Sequence, residues 1–96
     1  MRLREGKWDD FVDHAKRWRV LAEKHGFTLT TPTRYNTGLH PWGAIVIQYH
    51  WESLTEMDAK WNSFFADPQF APLGEQFDNI YESHHRELLF TIEEFE

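Results

Sequence analysis

The sequence of 96 residues predicts one α+β domain, with two helices on one face of a four-stranded antiparallel sheet. Two observations support this fold class. Residues 44–51 are mostly β-branched or aromatic and follow the turn residues Gly38 and Pro41, a pattern typical of a strand. Apolar residues recur at three- and four-residue steps over 8–22 and 54–65, a spacing typical of amphipathic helices.

The first half of the chain predicts a strand, a helix and a second strand. Residues 1–5 alternate like a strand but are too short for a central one, so we expect the natural protein to begin further upstream. The helix spans 7–25 and stops at Gly26, a typical C-terminal residue. The second strand spans 27–36, and Pro32 within it lacks a backbone donor, which favours a sheet edge or a bulge.

The second half predicts one more long strand, two helical segments and a final strand. Ser53 and Glu56 have the spacing of a capping box, in which each side chain accepts from a backbone amide of the first turn. Pro72 fits poorly inside a regular helix, so the second helical segment is expected to be irregular. The predicted elements are a strand at 42–51, a helix that starts after Ser53 and ends at Asp67-Pro68, a segment capped by Asp67 over roughly 69–81 and a strand at 88–95.

This order of elements predicts the ferredoxin-like plait, (β)αββαβ, with a truncated first strand. Apolar side chains lie on both faces of the strand 42–51, so the face without helices also needs a cover. We expect a second copy to cover it, which makes the protein a homodimer and its architecture a dimeric α+β barrel. Burial of about ten apolar side chains at about 1.5–3 kcal/mol each exceeds an association cost of about 4–15 kcal/mol.

Composition excludes several classes of function. The formal net charge of −6, with no basic stripe, disfavours nucleic acid and anionic membrane surfaces as partners. The chain has no cysteine, which removes thiol chemistry and fits a reducing compartment. The longest aliphatic run, 44–47, is far too short for a membrane span, and 1–6 lacks the apolar core of a signal peptide. We therefore expect a cytoplasmic protein.

Several short motifs resemble a known superfamily. They are Arg4-Glu5-Gly6-Lys7, Ala22-Glu23-Lys24-His25-Gly26, Tyr49-His50-Trp51-Glu52-Ser53-Leu54 and Ala66-Asp67-Pro68. Together they resemble NIPSNAP-like and antibiotic-biosynthesis-monooxygenase-like members of the dimeric α+β-barrel superfamily, and the likeness covers nearly the whole chain. The resemblance implies a half-barrel that holds a small apolar ligand. Members include cofactor-free monooxygenases, haem-degrading enzymes, lyases, isomerases and proteins of unknown role.

The candidate ligand-binding residues are Gln48, His50, Thr30 and Arg34, and His50 is also the candidate catalytic residue. Gln48 and His50 are the polar members of the strand face that we assign to the interior, because Trp51 is expected to pack under the second helix. Polar groups among apolar ones are typical of ligand pockets. The alternatives are that His50 is solvated or paired with a neighbour near the strand end, and that Arg34 lies at an exposed edge.

No metal or cofactor is expected. Adjacent strand residues point to opposite faces, so His84-His85 is a poor metal pair, and His40 is expected to lie in a loop. A haem-degrading site would need a tryptophan on the second helix, which Trp61 supplies. It would also need a histidine within 62–83 and an asparagine within 1–6, and the sequence has neither. No Gly-rich nucleotide loop or Ser-His-Asp spacing is recognisable.

Two functional hypotheses follow. The first is a small homodimeric protein that binds an apolar or aromatic molecule between sheet and partner, with cofactor-independent monooxygenase, lyase or isomerase activity among the reactions that the resemblance implies. The second is a non-catalytic NIPSNAP-like dimerisation or interaction module, in which side chains fill the interior. A cavity beside His50 favours the first hypothesis, and an interior plugged by Trp42 and phenylalanine side chains favours the second.

Overall fold

The computed structural model describes residues 1–34, 44–84 and 86–89. Within these ranges the chain forms three helices and six short strands. None of these helices combines the length and the apolar character that a bilayer crossing requires. In chain order the elements are β1 (Arg2–Leu3), α1 (Trp8–Lys24), β2 (Thr28–Leu29), β3 (Thr33–Arg34), β4 (Ile45–Val46), β5 (Tyr49–His50), α2 (Leu54–Ala66), α3 (Phe70–Ile80) and β6 (Tyr81–Ser83).

Helix α1 confirms the prediction from the apolar stripe. Two acidic residues, Asp9 and Asp10, lie in its first turn and Lys24 lies in its last turn, which suits the helix dipole. Gly26 follows the C-cap with a φ of 81°, a left-handed conformation that favours glycine. The buried residues of the helix are Phe11, His14, Leu21 and Ala22, so the buried stripe includes a histidine.

Helix α2 begins at the predicted cap. The Ser53 Oγ accepts a hydrogen bond from the Glu56 amide at 3.0 Å. The Glu56 carboxylate accepts from the amide of Glu52, at 2.6 Å, rather than from the amide of Ser53 as the capping box predicted. Both predicted side chains therefore accept a backbone hydrogen bond at the start of α2, although Glu56 bonds to the amide of Glu52 and not to that of Ser53.

Helix α3 is more regular than predicted. Pro72 is its third residue, inside the first turn, where a backbone amide has no intrahelical acceptor, so the missing donor costs the helix nothing. The predicted cap was wrong, because Gln69 is the residue before the helix. Asp67 still supports this junction, since its Oδ1 accepts from the Gln69 amide at 2.9 Å.

The prediction of a four-stranded ferredoxin-like plait was wrong. The described residues form three two-stranded antiparallel sheets, β1–β6, β2–β5 and β3–β4. Without a four-stranded sheet in each chain, the predicted dimeric α+β barrel is wrong as well. Met1 exchanges two backbone hydrogen bonds with Ile45, of 2.7 and 2.8 Å, which links the start of the chain to β4.

An extra residue interrupts the long hairpin that the sequence predicted. Thr28 pairs with His50 and Leu29 with Tyr49, whereas Thr33 pairs with Val46. Three residues, 30–32, thus lie opposite two residues, 47–48, which is the arrangement of a β-bulge. Pro32 lies in the bulge and cannot donate to the ladder, so each strand of the hairpin splits into two short pieces.

The last strand of the described residues lies before the predicted final strand. Strand β6 spans Tyr81–Ser83, directly after α3, and pairs with β1. Leu88 and Leu89 belong to no strand, and they are exposed rather than packed in a core. The remainder of the predicted strand, 90–95, lies outside the described residues, as does the predicted loop at 37–41.

Two groups of buried residues lie between the helices and the strands. Helix α3 packs against α1 and α2, which brings both groups under the same helical layer. The first group contains Leu21, Ala22, Phe27, Phe64 and Leu73, with partly buried Trp18, Leu29, Tyr49, Trp51, Trp61 and Phe70 packed on it. The second group contains Phe11, Ile45, Ile80 and Tyr81, with partly buried Met1, Leu3, Val12, Ala15, Ile47 and Phe77.

Candidate functional site

The strand segment 45–51 has one face under the helices. Ile45 is 3% exposed and belongs to the second core group, and Ile47 packs against the same group. Tyr49 and Trp51 pack against the first core group. Because alternate residues of a strand point to opposite faces, the remaining side chains of this segment point away from the helices.

We call the opposite side the helix-free face. It carries Val46, which is half-buried, and Gln48 and His50, which are exposed. Directly paired residues of antiparallel strands share a face, so β2 and β3 add the residues opposite His50 and Val46. The residues of the helix-free face are Thr28, Thr30, Thr33, Val46, Gln48 and His50.

Three of the four predicted site residues lie together on this face. The Thr30 amide donates to the Gln48 carbonyl at 2.9 Å, which fixes these two residues side by side. His50 lies two residues beyond Gln48 and pairs with Thr28. The face therefore presents hydroxyl, amide and imidazole groups beside one aliphatic side chain, Val46.

Arg34 lies apart from the other three. It pairs with Ile45, whose side chain is buried on the helix side, and the bulge around Pro32 accounts for this change of face. Its guanidinium carbon lies 4.1 Å from the ring centroid of Trp8, within the range of a cation–π contact. Arg34 thus contacts an aromatic ring of α1 and does not join the other three predicted site residues.

Among the described residues, His50 forms one ion pair, with Glu52. Its Nε2 lies 3.9 Å from the Glu52 carboxylate, and both side chains are largely exposed. An exposed pair at this distance contributes little stability. The imidazole is therefore open to solvent and to an incoming molecule, and no contact in this part of the chain locks its orientation.

Tyr49, between Gln48 and His50 in sequence, is not available to the helix-free face. Its hydroxyl accepts from the Trp18 indole nitrogen at 3.1 Å, within the first core group. Burial raises the pKa of the Tyr49 hydroxyl above its ordinary value of 10.0, which further favours the protonated form. It acts as a packed, hydrogen-bonded member of the core.

Of the other histidines considered in the sequence as metal ligands or rim residues, only His84 lies within the described residues. His84 contacts the Phe77 ring at 5.2 Å between ring centroids, whereas His40 and His85 lie outside the described residues. Within the described ranges, no three histidine, aspartate or glutamate side chains come close enough together to hold a metal ion.

Sequence reasoning missed two histidines that the structure places in defined surroundings. His14 is 1% exposed, and its Nε2 lies 2.9 Å from the Leu73 carbonyl of α3. The spacing of His14 from Phe11 and Trp18, three and four residues, was a usable signal. His25 contacts both Ser63 and Asp67, and no spacing rule could reveal this because the contacts join α1 to the far end of α2.

Comparison with family models, with curated proteins and with solved structures finds no match to this chain. The resemblance to NIPSNAP-like and antibiotic-biosynthesis-monooxygenase-like proteins therefore stays a prediction from the short motifs of the sequence.

Proposed function

We propose that the protein is a small homodimer that binds a small apolar or aromatic molecule at the helix-free face. The observation that carries the proposal is the division of the segment 45–51. Its large side chains pack under the helices, and its other face presents Val46 beside exposed Gln48 and His50. A second copy placed on this face would bury Val46 and enclose the polar groups around a bound molecule.

The chemistry of this face favours an uncharged ligand with an aromatic or aliphatic body. Thr30, Gln48 and His50 supply a few hydrogen-bonding groups that would orient it, and Val46 supplies apolar contact. An imidazole can serve as a base, and in its protonated form as an acid, so His50 is the candidate acid or base. The resemblance supports a cofactor-independent monooxygenase, lyase or isomerase as the reaction class.

A non-catalytic interaction module is the second candidate function. The observation in its favour is the exposure of the His50 side chain, 69%, with only a 3.9 Å ion pair to Glu52. Catalytic groups are normally held by packing and hydrogen bonds. In this candidate, the helix-free face binds a second copy and no small molecule.

The homodimer is tested by sedimentation velocity at micromolar protein concentration. Val46→Glu places a charge in the proposed interface and is expected to give a monomer, because a buried unpaired charge is strongly unfavourable. Val20→Glu is the matched control, since Val20 is 70% exposed on α1, and it is expected to remain a dimer. A wild-type protein that sediments as a monomer would refute the proposal, as would a Val46→Glu dimer.

Ligand binding is tested with an uncharged aromatic probe, N-phenyl-1-naphthylamine, by its fluorescence. His50→Ala is expected to weaken probe binding about tenfold, equal to about 1.4 kcal/mol, while the protein stays dimeric. Thr55→Ala, at an exposed position on α2, is the control and is expected to change nothing. A dimer whose probe binding does not depend on His50 would favour the interaction module.

A further inference from the structure

His25 forms a hydrogen-bonded chain with two side chains from the end of α2. Its Nδ1 lies 2.6 Å from the Ser63 Oγ, and its Nε2 lies 2.8 Å from Asp67 Oδ2. His25 is the C-cap residue of α1, and Asp67 is the C-cap residue of α2. The packing of these two helix ends therefore places a hydroxyl, an imidazole and a carboxylate in sequence, an arrangement that the primary structure does not reveal.

The charge of Asp67 fixes the direction of the hydrogen bonds. The ammonium of Lys24 donates to Oδ2 at 2.8 Å, and the Gln69 amide donates to Oδ1 at 2.9 Å. These bonds, together with that from His25, hold the pKa of Asp67 well below its usual range, so the carboxylate is ionised. It therefore accepts from His25 Nε2, which assigns the proton to that nitrogen. In the neutral imidazole Nδ1 is then unprotonated and accepts from the Ser63 hydroxyl.

Exposure increases along the same chain of groups. The Asp67 side chain is 6% exposed and the His25 side chain 14%, whereas Ser63 is exposed to solvent. The hydroxyl is thus accessible to a substrate, with its base directly behind it and the carboxylate shielded from water. This order of hydroxyl, imidazole and buried carboxylate is the one by which an imidazole activates a serine, with the two ring nitrogens exchanged: here Nδ1 faces the hydroxyl and Nε2 faces the carboxylate.

A second cation lies close to these three residues. The Lys60 ammonium donates to the Gly26 carbonyl at 2.8 Å, one residue after His25. Lys60 also lies three residues before Ser63 in α2, so the two side chains share a helix face. Glu56 pairs with Lys60 and keeps it in this position. A positive charge here would stabilise an oxyanion that forms beside Ser63.

A purely structural role does not account for the serine. The Asp67 bonds to Lys24 and His25 already join the end of α1 to the junction of α2 and α3. An exposed hydroxyl adds little to such a joint, because water replaces its hydrogen bond at almost no cost. The 2.6 Å contact between Ser63 Oγ and His25 Nδ1 is the observation that favours activation of the serine as a nucleophile.

We propose that Ser63, His25 and Asp67 form a nucleophilic centre that takes an acyl group from a small carboxylic ester. Ser63 Oγ bonds to the carbonyl carbon while its proton moves to His25 Nδ1. The bond from that carbon to the leaving oxygen then breaks, and His25 returns the proton to the departing alcohol. In the second half, a water molecule gives a proton to His25 Nδ1 and bonds to the carbonyl carbon of the Ser63 ester. The bond from that carbon to Ser63 Oγ breaks, His25 returns the proton to Oγ, and the carboxylic acid is released.

The test uses p-nitrophenyl acetate with the full chain, following p-nitrophenolate by absorbance and the protein by intact mass after acid quench. The wild type is expected to carry one acetyl group on the peptide that contains Ser63. Ser63→Ala is expected to lose this adduct and to slow p-nitrophenolate release about 10²-fold, the lower range for general-base catalysis. Ser83→Ala, an exposed serine on β6, is the matched control and is expected to react like the wild type.

Acetylation of Lys24, Lys60 or the amino terminus with an unchanged rate in Ser63→Ala would overturn the proposal. Circular dichroism of each variant shows whether it is folded. If Ser63→Ala does not fold, labelling of the wild type with a fluorophosphonate probe decides the matter. Modification of Ser63, but not of Ser53 or Ser83, in the folded protein and its loss in urea would support the centre, and an unmodified Ser63 would refute it.

Discussion

Replacing Phe64 with alanine should remove a large part of the stability of the fold. Phe64 is fully buried, 0% exposed, at the centre of the first core group. Its ring lies 4.9 Å from that of Trp18, 5.3 Å from that of Phe27 and 5.6 Å from that of Trp61, between centroids. Phe→Ala substitutions in cores cost about 3–5 kcal/mol, and each aromatic pair adds about 0.5–1.5 kcal/mol beyond its buried area.

These contacts place the expected cost near 4–5 kcal/mol, the upper end of the range, or about half of the stability of a typical domain. Phe65 offers a matched control in the next position of the same helix, because it is 45% exposed, and its ring contacts those of Trp61 and Phe70. Burial of about half of its side chain implies a cost of about 1–2 kcal/mol for Phe65→Ala.

Urea unfolding followed by tryptophan fluorescence measures both costs at one protein concentration, which matters if the chain is dimeric. Trp18 and Trp61 adjoin Phe64 and report the loss of the core directly. We expect lower midpoints with unchanged slopes, because the folded architecture is retained. Equal midpoint shifts for Phe64→Ala and Phe65→Ala would refute the assignment of Phe64 as the centre of the core.

Two further predictions concern the helix cap and the buried histidine. Ser53→Ala should cost about 1 kcal/mol by removing the acceptor for the Glu56 amide, whereas Ser83→Ala should cost almost nothing; equal urea midpoints would show that the cap adds no stability. Burial lowers the pKa of His14 below its ordinary value of 6.5, so the unfolded chain binds this proton more readily and stability falls as pH drops below about 6.5. The loss, at most about 1.4 kcal/mol per pH unit, should disappear from urea melts of His14→Gln, and a variant with the same pH slope as the wild type would contradict this role.

The helices were predictable because local signals specify them. The apolar stripe and Gly26 define α1 to within one residue of the prediction at each end. Ser53 marks the start of α2 through a hydrogen bond that spans only three residues. The irregularity expected of α3 was wrong for an equally local reason, since a proline in the first turn, Pro72, does not disturb a helix.

The pairing of the strands and the hydrogen bonds between His25, Ser63 and Asp67 depend on contacts between distant residues, which local sequence patterns do not reveal. Pro32 indicated an edge or a bulge, but strand alternation at 27–36 could not decide between them, and a one-residue shift changes the face of every residue beyond it. The contact of His25 with Ser63 joins residues 38 positions apart, and that with Asp67 joins residues 42 apart. Only the packing of one helix end on another brings them together.

The bulge at Pro32 also determines which ligands the helix-free face suits. Without it, alternation along 27–36 would place Arg34 on the same face as Thr30 and would give the proposed site a permanent positive charge. With it, Arg34 turns to the Trp8 ring, and Thr33 takes the position opposite Val46. The hairpin then presents hydroxyl, amide and imidazole groups without a guanidinium, so it lacks the fork that binds carboxylate or phosphate. An uncharged molecule would therefore fit the proposed site better than an anion, because of one residue inserted in a strand.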